Sequence, residues 1–292
     1  MPLRLPSRRD FACPRLSLAI ISQHHAYSNL AKYVIIYLVY TYAGEQEEWN
    51  EMERISADGN YLRIWEDVPE IIAFFSTKKG ATTEYPFYNS DIMEDLGIAD
   101  AVLVGHHQTH STNVEVITEE MARKAAAGDG RIVFEGVDGA ITDVPGVLLT
   151  TRHADCLPLF LHDARKGVIG MVHSGWRGTA DEIGRVTVEK MVKTYGCDPG
   201  DIRVHIGPGI SYCCFEVDEP CFREFRDPVY RKVGEKYYID LKAYNRRMME
   251  EAGVPAENIT ASEHCTCCEP ELFASHRYDR SLLRMGGGII IL

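Results

Sequence analysis

Two apolar runs, "GVLLTTRHADCLPLFLHD" from Gly146 to Asp163 and "GVIGMVHSG" from Gly167 to Gly175, flank the turn sequence "DARKG". Apolar, β-rich segments of this kind, separated by a turn signal, read as central strands that double back on one another. The return has a chemical consequence. It brings the start of the second half of the first run, at Cys156, toward the end of the second run, at His173. A thiol and an imidazole far apart in the chain can then meet.

The rest of the chain supports a mixture of strands and helices. "YLRIWEDV" and "EIIAFFST" read as strands, as do the two halves of "AVLVGHHQTHSTNVEVIT" around a histidine-rich bend. "EEMARKAAAGDG" reads as a short helix or exposed turn closed by glycines. "DIRVHIGPGI" reads as a strand ending in a tight turn, and "MGGGIIIL" as a terminal strand. "TADEIGRVTVEKMVKTYG" carries the clearest helix signal: Thr179 and Glu182 have capping-box spacing, Ile183, Val186 and Met191 or Val192 form an apolar stripe, and Gly196 supplies the stop. "LKAYNRRMMEEAG" is a second amphipathic helix ending at Gly253. With no internal repeat and no Gly/Ser linker, residues 51–292 are expected to form one α+β domain with mixed β-sheets flanked by helices.

At 292 residues the chain can bury a sizeable core without staples. Its 45% hydrophobic and 25% charged residues are those of a soluble globular protein, and 31 basic against 43 acidic residues argue against nucleic acid as a partner. The nine cysteines are an odd number in a chain too large to need a disulfide scaffold, which favours reduced thiols and a cytoplasmic setting. "AKYVIIYLVYTYAG" is shorter than the roughly 20 residues of a membrane span, and the basic start is a poor signal peptide, so no membrane partner is expected. Residues 1–50 read as a poorly matched extension, with Met52 as a candidate alternative start.

Three residues stand at the edges of apolar segments next to turns: His110, Cys156 and His173. Two imidazoles and one thiolate suit a catalytic zinc, which takes three N or S ligands and leaves a fourth position open. Such a set disfavours magnesium and calcium, which want oxygen. Spacing alone leaves open the plainer reading of a buried thiol and core histidines. "HSGWRGTADE" adds glycines at 175 and 178 and Arg177 just ahead of a helix, where unpaired N–H groups favour an anion; a plain strand-to-helix turn with Trp176 in the core fits equally well.

"QTHS" at 108–111, "HADCLP" at 153–158, "HSGWRGT" at 173–179, "IGPGISYCCFEV" at 206–217, "CT" at 265–266 and "FASHR" at 273–277 together resemble the YfiH family, in the family's order. This is the laccase-domain or polyphenol oxidase family, several of whose members are described as purine nucleoside phosphorylases. The resemblance spans residues 70–292. It implies a single α+β domain, and a zinc held by His110, Cys156 and His173 as the catalytic centre. It also implies phosphorolysis of adenosine, inosine, guanosine and methylthioadenosine, with adenosine deamination as a second reaction. Purine nucleoside and phosphate would be the partners, with Arg177 and the position of Lys78 contributing to phosphate binding. Arg277 and Arg284 match family positions that could close the anion pocket.

The chain departs from the family near its front, where "STKKGATTEYPFYNSD" has Lys78 at the usual arginine position and "FASHR" has His276 where tyrosine is common. Lysine is a point charge and cannot supply a planar fork. Asp155 could orient a ligand or accept hydrogen bonds in a local turn, and His153 reads as a strand-end residue. Cys265, Cys267 and Cys268 look like half of a metal knuckle; no second C-x-x-C pair accompanies them, so a structural zinc is not expected, and Cys213 and Cys214 read as packing.

Two other chemistries compete with the zinc phosphorylase. In a Cys-His hydrolase, His173 would deprotonate Cys156 for nucleophilic attack. A copper-dependent, laccase-like polyphenol oxidase would use Cu2+ in place of Zn2+, but the paired His-x-His sets expected for several coppers are missing from the sequence. Monomer and homodimer, the preferred nucleoside, and the balance between phosphorolysis and deamination are left open.

Overall fold

A computed structural model describes residues 53–85 and 87–292. Their sequence alternates between strands that face two ways, and the result is two mixed sheets packed face to face. The first has seven strands in the order β1 (Glu53–Ile55), β2 (Tyr61–Ile64), β3 (Ile71–Ser76), β16 (Met285–Ile291), β8 (Val147–His153), β4 (Val102–His107) and β6 (Arg131–Glu135). The second has six, in the order β15 (Ile259–Ala261), β11 (Ile202–Ile206), β9 (Leu157–Asp163), β10 (Val168–Ser174), β7 (Gly139–Thr142) and β5 (Val114–Ile117). A small third sheet, β12 (Glu216–Val217), β14 (Lys236–Ile239) and β13 (Tyr230–Val233), falls in a stretch for which the sequence patterns give no element.

Between the large sheets lies an apolar layer that includes Phe75, Leu149 and Ile289 from the first and Phe160, Ile169 and Met171 from the second. Helix α1 (Ser90–Asp95) covers the outer face of the first sheet, through Ile92 and Met93. The outer face of the second is covered by α4 (Ile183–Tyr195) and α6 (Leu241–Glu251), whose Val188, Met191, Tyr244 and Met248 meet Leu159 and Leu161. Short helices α2 (Glu119–Ala126), α3 (Trp176–Ala180), α5 (Glu219–Phe222) and α7 (His276–Asp279) lie along the connections. The sheets and helices belong to one compact unit, Trp49–Leu292. The expectations for the N-terminal extension, including Met52, lie outside the described residues. No helix among the described residues is long and apolar enough to cross a membrane.

The terminal "MGGGIIIL" strand is central in the first sheet, paired on both sides. Its glycines are explained by close approach. A Cβ on Gly287 would stand 2.3 Å from Met171 Cε of the facing sheet, and one on Gly288 would stand 2.5 Å from the Phe74 ring on the other face. Alternate residues of a strand point to opposite faces, so consecutive glycines open room on both.

The hairpin expected at "DARKG" is present. Strands β9 and β10 pair antiparallel from Val168↔Asp163 to Ser174↔Leu157, which sets Cys156 one step beyond the ladder, diagonal to His173. The upstream apolar run is not one strand, however. It divides at Ala154–Cys156, β8 belonging to the first sheet and β9 to the second, and Asp155 turns the corner with φ 89°.

The capping box at Thr179 and Glu182 does not form. The helical segment starts earlier, at Trp176 with Gly175 as its cap, and breaks at Glu182, which is left-handed with φ 63° before α4 resumes. Thr179 is buried and hydrogen-bonds Ser174 Oγ at 2.7 Å, so its hydroxyl is not free to cap. At the other end, Gly196 adopts φ 65° and its N–H bonds Val192 O, the C-terminal stop its sequence position implies.

Candidate functional site

Strands β4, β6 and β8 run parallel in the first sheet, so their C-terminal ends share one edge. At that edge the chain passes three times into the second sheet. The first crossing carries Gln108–Ser111, the second Asp138 and the third Cys156. Strand β10 ends at the same place with His173 and Ser174. Four remote segments therefore deliver their side chains to one point.

There the donor atoms of His110, Cys156 and His173 lie within 4.8 Å of one another. Cys156 Sγ is 3.6 Å from His110 Nε2, and the two imidazoles meet edge to face with centroids 5.0 Å apart. Gly175 makes room for this: a Cβ there would stand 2.1 Å from the His110 ring. The sequence singled out these three residues, and the fold assembles them.

Two further residues hold them in place and were not assigned that role from sequence. Asp138 is fully buried and takes His173 Nδ1 at 2.8 Å. The same carboxylate accepts the backbone N–H groups of Thr109, His110 and Ser111 at 3.1, 3.0 and 2.7 Å, and the Ser111 hydroxyl at 2.7 Å. Concentrating these donors on one carboxylate bends the chain sharply, and His110 accordingly has φ 61°. Burial opposes ionisation of Asp138, but the His173 and Ser111 hydrogen bonds outweigh it and hold the carboxyl well below the usual range.

His153 is the second. It is buried, its Nδ1 lies 3.0 Å from Cys156 O and its Nε2 lies 2.8 Å from Thr151 Oγ1. A carbonyl can only accept, so Nδ1 carries the proton and Nε2 accepts from threonine. Burial keeps this ring neutral, with its pKa well below the ordinary histidine value.

Within the trio, Cys156 and His173 form a polarised pair. Burial would raise the Cys156 thiol, but the charge of His173 and the hydrogen bond with His110 draw it down to about 6. Burial would likewise depress His173, but the Cys156 thiolate and Asp138 carry it up to about 9. A thiolate and a ring nitrogen aimed at each other, with the other ring nitrogen held by a carboxylate, are the features of a metal site whose histidine is oriented from behind.

The trio opens into a cavity of about 600 Å3. Tyr85 and His107 stack on its wall, centroids 3.9 Å apart, with the Arg152 guanidinium over the Tyr85 ring at 5.4 Å. Trp176 and Phe215 add apolar surface. Arg152, Arg277 and Arg284 all line the cavity. Burial and the neighbouring charge of Arg284 hold Arg152 below the ordinary guanidinium range, and its buried Nε has no hydrogen-bond partner. Like charges gathered in this way suit an anion.

The other sequence candidates sit differently. Arg177 is exposed, stacked on Trp176 at 4.1 Å, outside the cavity lining. Lys78 is also outside it, its Nζ donating to Pro270 O at 2.8 Å and standing 4.0 Å from Asp279. His276 lines the cavity. Asp155 also lines the cavity, and its carboxylate accepts the Thr266 hydroxyl at 2.7 Å and the Arg277 N–H at 2.6 Å, not a donor of its own turn. Arg152, missed from sequence, directly precedes the quoted "HADCLP". The aromatic shelf had no sequence signal, because Tyr85 and His107 come from separate segments.

Residues 88–292 match the family model described as multi-copper polyphenol oxidoreductase laccase, and the chain belongs to that family. Among its relatives, purine nucleoside phosphorylase YlmD of Bacillus subtilis (strain 168) is 33% identical over 236 residues, covering 72% of this chain and 84% of the relative. Adenosine deaminase RL5, from an unknown prokaryotic organism, is 37% identical over 190 residues, covering 62% of this chain and 72% of RL5. The crystal structure of YlmD from Geobacillus stearothermophilus superposes with a TM-score of 0.73 at 30% identity, covering 82% of this chain and 98% of that one. The α+β fold and the YfiH-family resemblance both hold, and the relatives support an enzyme.

Proposed function

We propose that the protein is a zinc-dependent purine nucleoside phosphorylase acting on adenosine, inosine, guanosine or methylthioadenosine, with adenosine deamination as a second activity. The observation that carries this reading is the opening of the His110, Cys156 and His173 donor set into a cavity that pairs an aromatic shelf with three arginines. The names of the relatives, phosphorylase and deaminase, point the same way.

The donor set fits Zn2+: two imidazoles, one thiol drawn toward thiolate, and a histidine oriented by a carboxylate. When bound there, zinc supplies Lewis acidity. Tyr85 and His107 offer a flat surface for a purine. Arg152, Arg284 and Arg277 hold phosphate, so that the C1′–N9 bond breaks as a C1′–O bond to phosphate forms, giving free base and ribose 1-phosphate. Asp138 and His153 keep the donors in position and take no part in the bond changes.

Incubating the zinc-loaded protein with adenosine, with and without phosphate, tests the reading. Phosphate-dependent adenine and ribose 1-phosphate are expected, and phosphate-independent inosine reports the second activity. Release of neither base nor inosine removes the enzymatic reading.

One observation favours a second reading. Cys156, His173 and Asp138 stand in the order of a nucleophile, a base and its orienting carboxylate. As a Cys-His hydrolase, the protein would work without metal and lose activity on alkylation of Cys156.

A further inference from the structure

Cys213, Cys214, Cys265 and Cys268 come from two loops that the sequence treats as unrelated. Strands β11 and β15 are parallel neighbours at the edge of the second sheet, so the loops that leave their C-terminal ends emerge side by side. A lone parallel bridge, Gly209 to Cys265, continues the pairing into those loops. The adjacent pair Cys213–Cys214 then faces the C-x-x-C pair Cys265 and Cys268. The sequence expectation looked for a second C-x-x-C pair, whereas the fold sets an adjacent Cys-Cys pair opposite the first.

The four Sγ atoms lie within 4.8 Å of one another. Three of the separations are 3.5 Å (Cys213 to Cys265), 3.4 Å (Cys213 to Cys268) and 3.3 Å (Cys214 to Cys268). Four thiolates at about 2.3 Å from one zinc form a tetrahedron with edges of about 3.8 Å. A disulfide joins its sulfurs at about 2.0 Å and pairs them two by two, whereas here Cys213 and Cys268 are each close to two partners.

The surroundings suit the negative charge of such a set. The Ser211 N–H points at Cys265 Sγ, 3.4 Å away. Buried Lys242 lies within electrostatic reach of Cys265 and Cys213, its Nζ fixed by Ser262 O and His264 O at 2.7 Å each.

We propose that Cys213, Cys214, Cys265 and Cys268 form a second, structural zinc site that fastens the loop after β11 to the loop after β15. With all four positions filled by protein sulfur, such a site is closed to substrate. Its effect on the cavity is mechanical. Thr266, inside the C-x-x-C loop, holds Asp155 at 2.7 Å, next to Cys156, and Arg277 donates to Cys214 O at 2.9 Å while lining the cavity. The proposal is independent of the phosphorylase reading, because it concerns ligands outside the cavity.

The test uses the full chain, reduced, loaded with zinc and desalted. Two zinc ions per chain are expected, with one retained in Cys156→Ala. X-ray absorption of the zinc kept by that variant should show only sulfur neighbours, at about 2.3 Å. Cys268→Ser in the Cys156→Ala background should lose the remaining ion. Because that double variant could misfold, the sulfur-only shell in Cys156→Ala is the deciding measurement. A Cys156→Ala protein without zinc, a shell containing nitrogen or oxygen, or disulfide-linked peptides among the four cysteines in protein isolated without reductant would each overturn the proposal. A sulfur-only shell in a protein without phosphorolysis would uphold this site and sink only the enzymatic reading.

Discussion

The cavity trio and the four-cysteine cluster are both built at strand C-terminal ends, but from different ligands. The trio mixes nitrogen and sulfur, leaves one side open to a cavity of about 600 Å3, and has a buried carboxylate behind one histidine. The cluster is all sulfur, with its four donor atoms facing inward on one another. Three ligands and an open side suit chemistry, and four ligands suit a clamp. On the two proposals, donor number and what lies on the open side separate the roles, while cysteine content alone does not.

The largest effect that could break the contrast is at Cys156. On the phosphorylase reading, Cys156→Ala should lose activity by at least about 10^2 to 10^3, the scale on which removing a principal electrostatic group acts. Near-normal phosphorolysis in steady-state assays would show that the trio is not the reacting centre. Next is Asp138→Asn. Losing the carboxylate that receives His173 and four donors from 109–111 should weaken zinc binding about 10- to 100-fold, read by chelator competition, with the four-sulfur ion unaffected.

Arg152→Lys keeps a charge and removes the planar fork. It should raise the KM for phosphate about tenfold with a smaller change in kcat, in line with a charge-assisted hydrogen bond worth about 1.5–3 kcal/mol. An unchanged KM would place phosphate elsewhere. Gly175→Ala forces a methyl toward the His110 ring, 2.1 Å away, and should cost about 1–3 kcal/mol in denaturant unfolding. The smallest effect is a shift along the pH axis. In zinc-free protein, alkylation of Cys156 should accelerate as pH rises through about 6, because the thiolate forms there rather than near the ordinary 8.5. Zinc should suppress it at every pH, whereas a Cys-His hydrolase would be alkylated and inactivated with or without metal.

Much of the trio's setting is legible in the order of the amino acids. The β9–β10 hairpin follows from two apolar runs around "DARKG", and its register alone brings Cys156 beside His173. The helix stop at Gly196 needs only a residue that tolerates a left-handed backbone. Local signals fail where a side chain has a better partner far away. Thr179 has the spacing of a helix cap, yet its hydroxyl goes to Ser174, with Asn245 at 3.3 Å. Lys78, at a position that suggests phosphate, lies outside the cavity lining with one ammonium donor on the Pro270 carbonyl.

By itself, then, the sequence determined the class of fold, the hairpin, and the three residues His110, Cys156 and His173 that the fold gathers at one point, because strand periodicity, turn residues and motif order act over short distances. Tertiary structure alone decided that "HADCLP" spans a corner between two sheets, and that Asp138 organises the "QTHS" loop. It also decided that Cys213 and Cys214 face Cys265 and Cys268. These depend on which parallel strands are neighbours and hence which loops leave the same edge, and strand order is set by the burial of whole sheet faces, which no local pattern encodes.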